Sequence, residues 1–114
     1  MTEQKELKLV IQEWEESEAG WDVRPDGISI HISMEECTKY RKNYWKEEIE
    51  RTKGFVPDEY SRERNSPFWI TVVSEEIKNI LVKEFKILEK NSIRLYQNHP
   101  FKNKIYELLK QKMI

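Results

Sequence analysis

His31 is the side chain best suited to acid–base chemistry, since an imidazole titrates near neutral pH. Ile28, Ile30 and Ile32 share one strand parity, while Ser29 and His31 share the other. Ser29 and His31 thus fall on the sheet face opposite the isoleucines, which stays open if helices cover the isoleucine side. Trp14 reaches that face on its own parity, and Arg24 lies nearby in the chain to supply a cation. Together they form a candidate small-ligand or weakly enzymatic site. A His31 packed under a helix with no adjoining pocket would remove that reading.

A second cluster lies in Asp58-Glu59-Tyr60-Ser61-Arg62-Glu63-Arg64. Arg62 and Arg64 can clamp a carboxylate or phosphate bidentately, and Tyr60 can stack on a ligand. The same charges can instead pair with one another, or with Glu47 and Glu48, and pin the segment. Arg24 and Asp26 carry the same ambiguity. Among the aromatic residues, Trp21, Tyr40, Tyr44, Trp45, Trp69 and Phe85 occupy expected core positions. Trp14 and Phe68 have weaker core arguments, so either offers an exposed anchor for a partner protein.

The third possibility is nucleic acid. Residues 76–114 hold 9 Lys/Arg against 4 Asp/Glu, so Arg94, Lys102 and Lys104, with Tyr96, are candidate contacts. The RNP, KH and zinc-finger signatures are absent, and a lysine-rich solvated helix face explains the same charge.

Other chemistries find little support. His31 and His99 belong to no paired ligand motif and Cys37 is the only cysteine, so neither a metal site nor a disulfide is expected. Cys37 falls on the inward side of a helix, as an inert core thiol. The Glu15, Glu16, Glu18 and Asp22 cluster lacks EF-hand spacing. Phosphate cradling needs a Gly-rich loop or basic helix start, but both clear helix starts are acidic, at Glu35-Glu36 and Glu75-Glu76. No cofactor is expected.

The elements that must position these residues read βββαβαβα. Leu7, Leu9 and Ile11 alternate as a first strand, with 15–20 as a loop. Trp21 and Val23 begin a second strand, and Arg24-Pro25-Asp26-Gly27 closes a turn, with Gly27 suited to a left-handed backbone. Ile28 to Ile32 return, completing a three-strand antiparallel meander. Ser33-Met34-Glu35-Glu36 is a capping box that opens a helix over about 34–52. Cys37, Tyr40, Tyr44, Trp45 and Ile49 lie on its inner stripe. Residues 55–68 form a long loop with two prolines. Residues 69–73 make a fourth strand, Ser74 caps a helix ending at Asn91, and 92–96 make a fifth strand. Pro100 starts a last helix. The fold class is α+β, an antiparallel or mixed sheet of about five strands with about three helices on one face.

At 114 residues the chain makes one domain able to bury a core. The polar N-terminus lacks a signal-peptide core, and no apolar run nears the roughly 18 residues of a membrane span. A cytoplasmic, reduced setting is expected. Net charge is −6 over residues 1–50 and +5 over 51–114, a dipole that can orient an encounter. The leading expectation is a non-enzymatic interaction or regulatory domain with a protein partner. Its small size and composition suit an accessory protein of a bacterium or its phage, such as an immunity or inhibitor protein, while the abundance of Lys, Glu, Ile and Asn reflects an AT-rich genome more than a function. A homo-oligomer is also compatible, with the tryptophan-bearing sheet face as its seam.

Overall fold

A computed structural model describes residues 7–18, 22–53, 59–96, 99–101 and 103–104. Alternation drives the sheet. Strand β1, Leu7–Glu18, pairs antiparallel with both β2, Asp22–His31, and β3, Glu59–Val72. A short edge strand β4, Ser92–Leu95, pairs antiparallel with β2, giving the order β3-β1-β2-β4.

The four strands replace the expected five because residues 24–27, expected as a turn, continue one strand and so merge the two expected on either side of them. Residues 24–27 do not reverse the chain. They form a bulge in β2, where three steps from Ile28 to Pro25 match two steps from Glu13 to Glu15 on β1. Gly27 takes the expected positive φ, +83°, and a Cβ there would sit 1.9 Å from the Leu95 carbonyl oxygen. Backbone conformation and close approach both select glycine at this point. Residues 15–18 and 59–68, parts of the loops expected at 15–20 and 55–68, are strand, and 13–18 pair with 59–64. Their register sets Glu13 against Arg64 and Glu15 against Arg62, and the Arg62 and Glu15 side chains approach to 3.7 Å. Opposite charges across neighbouring strands suit a sheet as well as a loop. Residues 19–21, including Trp21, and 54–58 lie outside the described residues.

β3 carries a larger irregularity. Four steps from Phe68 to Arg64 face two from Ile11 to Glu13, with Asn65 at φ +62°. Fully buried Gln12 fills the gap, its Nε2 donating to the Arg64 and Asn65 carbonyls at 3.2 and 2.9 Å.

Helix α1, Met34–Thr52, matches the expected span. The Ser33 hydroxyl accepts the Glu36 amide at 3.1 Å, and left-handed Lys53 (φ 54°) ends the helix. The helix expected from Ser74 to Asn91 is broken. Helix α2, Glu75–Asn79, runs into a π-helical turn over Ile80–Glu84, closed by the Phe85 amide on the Ile80 carbonyl at 3.0 Å. Left-handed Lys86 (φ 53°) then redirects the chain into α3, Ile87–Lys90, and Asn91 (φ 70°) ends it. The redirection buries Ile87 completely and leaves Leu88 56% exposed.

Helices cover both faces of the sheet. Leu9, Ile11, Ile28, Ile30, Ile70, Val72, Ile93 and Leu95 form an apolar face under Ile77, Leu81 and Ile87, with Phe85 and Phe101 packed against that cluster. The other face carries Trp14, Ser29, His31, Ser92 and Arg94, and α1 lies over it. The expected open face is therefore closed. No described helix is long and apolar enough to cross a membrane.

Candidate functional site

The polar sheet face under α1 brings together side chains from β1, β2 and β4. Pairing places Ser92 beside His31 and Arg94 beside Ser29, and β1 supplies Trp14 opposite the bulge. Trp14 Nε1 donates to Ser29 Oγ at 2.8 Å. Ser29 Oγ lies 2.7 Å from His31 Nε2, and His31 Nδ1 lies 2.7 Å from Ser92 Oγ. Trp14 is 1% exposed, and Ser29 and His31 are fully buried.

Donor counting orients this chain. An indole N–H only donates, so Ser29 Oγ accepts from Trp14. The buried Ser29 hydroxyl proton then goes to His31 Nε2, leaving the imidazole proton on Nδ1 to donate to Ser92. A neutral imidazole satisfies that pattern, and burial pulls the His31 pKa down to about 4, with the Arg41 charge acting in the same direction. The Tyr40 ring from α1 tilts over His31 at 5.2 Å, and the Tyr44 ring meets Trp14 edge-on at 5.0 Å. Burial raises the Tyr40 phenol pKa, and the Arg94 charge partly offsets it.

Arg94 is the second buried polar centre, its side chain 6% exposed. Nη2 donates to the Asp26 carbonyl at 3.0 Å and to Asp26 Oδ2 at 3.2 Å. Ser61 Oγ also donates to that carboxylate. The guanidinium carbon stands 4.5 Å from the Trp14 ring centre and 4.6 Å from that of Tyr96. Nε and Nη1 have no acceptor among the described residues, so the ring faces supply part of their compensation. The Tyr44 hydroxyl donates to the Ser61 carbonyl at 2.9 Å and accepts the Ser61 amide at 3.2 Å, tying α1 to β3.

Two cavities lined by described residues flank α1. The larger, about 580 Å³, follows the Thr38, Arg41/Lys42, Trp45/Lys46 and Ile49/Glu50 stripe of α1 and is bounded by Glu63 of β3. Trp45 Nε1 donates to Glu63 Oε1 at 2.5 Å, and Arg41 Nε lies 3.8 Å from the same oxygen. The smaller, about 300 Å³, is lined by Glu36, Lys39, Tyr40, Asn43, Lys90 and Ser92. It reaches the buried chain at Ser92.

The residues expected to bind are thus separated. Trp14, expected as an exposed anchor, is buried because α1 and Arg94 cover it. Ser29 and His31 do meet, but beneath α1 rather than on an open face. Arg24 is exposed at the β2 bulge, away from His31 in chain register. Arg62 pairs with Glu15, Arg64 is exposed in β3, and the Tyr60 side chain lies outside the described residues. Of the nucleic-acid candidates, Arg94 is turned inward by Asp26 rather than outward to a phosphate, Lys104 pairs with Glu76, and Lys102 lies outside the described residues. Ile49, expected inward, is 59% exposed in the larger cavity. Ser92 was not singled out by sequence. Its only signal was its place at the start of a short alternating segment.

Comparison of the chain with protein-family models, curated proteins and solved structures finds no match.

Proposed function

We propose that this chain is a non-enzymatic interaction or regulatory module that holds a segment of another protein in the groove along α1. The observation that carries the reading is the make-up of that groove: Trp45 and the largely exposed Ile49 set among Arg41, Lys42 and Lys46. A long apolar side chain left in water beside an aromatic ring favours burial by a partner. Glu63 is already engaged by Trp45 and Arg41, and no described ion pair holds Lys42 or Lys46. With Glu50 as the remaining acid of the lining, the charge balance selects an acidic segment carrying an apolar side chain.

The test is site-specific photo-crosslinking in the cells that express the protein. A crosslinker replacing Ile49 should capture a discrete partner after nuclease treatment, and one replacing Lys83 should not. Ile49→Asp and Lys46→Glu should each weaken the purified complex about tenfold or more. A complex of unchanged affinity in both variants would sink the reading.

A further inference from the structure

We propose that the smaller cavity is a binding site for a small oxyanion, a phosphate or a carboxylate, received by the Ser92 hydroxyl with Lys39 and Lys90 beside it. The site lies apart from the α1 groove and does not depend on the partner proposed for it.

The order of donors carries the inference. Trp14 donates to Ser29 at 2.8 Å, and the 2.7 Å contacts from Ser29 to His31 and from His31 to Ser92 are assigned the direction that gives the buried Ser29 proton an acceptor within the row. Each donor in such a row is strengthened by the one behind it. Ser92 ends the row with its own proton still to place, and it lines the cavity. The rest of the lining agrees. Lys39, Lys90, Asn43 and Tyr40 also line the cavity, and each of these side chains carries N–H or O–H donors. Glu36 is the one acid there, and Lys39 Nζ already stands 3.5 Å from its Oε1. Lys90 makes no described ion pair. A donor-rich recess with a net cation fits an acceptor-only ligand, and a volume near 300 Å³ suits a small one.

Amide and side-chain NMR shifts should be followed during titration with inorganic phosphate and, separately, with sodium acetate. Sodium chloride at equal ionic strength serves as the baseline. Saturable shifts at Ser92, Tyr40 and Lys90 with either anion support the site, and the anion that saturates names the ligand class. Lys90→Glu, on an exposed side chain, should weaken binding about tenfold, while Lys83→Glu on the π-helical turn should leave it unchanged. Ser92→Ala should also weaken it, with a thermal melt to confirm the fold. Absence of saturation with both anions, or saturation that Lys90→Glu does not alter, overturns the proposal.

Discussion

A histidine kept neutral inside a fold makes stability a function of pH. Unfolded, His31 titrates near its ordinary value of 6.5; folded, near 4. Above pH 6.5 both states are neutral and the group adds no pH dependence. As pH falls from 6.5 to 4, the unfolded state binds a proton that the folded state refuses, so stability declines. At about 1.4 kcal/mol per pH unit the loss attributable to His31 approaches 3 kcal/mol, reached near pH 4. Urea titrations across this range should show that limb, and His31→Leu should flatten it whatever its effect on stability at pH 8. Asp26 carries a different liability. Asp26→Asn leaves the Arg94 cation buried with its counter-charge gone, and should cost about 3 kcal/mol in the same measurement. Part of this was legible in the sequence. Strand parity put Ser29 and His31 on one face, but it carries no information about what covers that face. Ser92 lies 61 residues from His31 and meets it only through the β2–β4 register.

At the scale of elements, the devices that begin and end segments were readable and the charged strands were not. The Ser33 cap and the apolar spacing after it gave α1 its bounds. Residues 15–20 read as loop for want of apolar side chains, and 55–68 because they show no apolar period and hold two prolines. Yet Glu13 and Glu15 repeat at period two, as do Arg62 and Arg64, and period two is the strand's own. Two such rows of opposite sign are a pairing signal, visible only when the rows are set side by side. Gly27 was rightly singled out for a left-handed backbone, although it serves a bulge and not a hairpin turn. Gly27→Ala meets both the positive φ and the Leu95 carbonyl, and should cost about 3 kcal/mol or more by thermal melting. The break at Lys86 could not be read from spacing, because Ile87 and Leu88 are equally apolar and only the packed sheet decides which is buried.

Across the whole molecule, the sheet separates two kinds of interior. One side is apolar, built mainly of isoleucine, leucine and valine. The other is a polar layer whose hydrogen bonds are mutually dependent, roofed by α1. The opposite charges of the two chain halves are partly consumed within it and at the β1–β3 seam, where Asp26 meets Arg94 and Glu15 meets Arg62. The dipole seen in the sequence therefore overstates what a partner meets. Because α1 completes both the aromatic cover of His31 and the Tyr44–Ser61 tie, it should leave the sheet only when the whole fold opens. Cys37 supplies a clock for that event. It is the chain's sole thiol, 1% exposed on the underside of α1, with burial holding its pKa up. A thiol reagent applied to the native protein should label it no faster than global unfolding allows, so one sulfur atom times how long the roof stays shut. Faster labelling would mean that α1 lifts alone, exposing the polar layer to solvent while the isoleucine side remains intact.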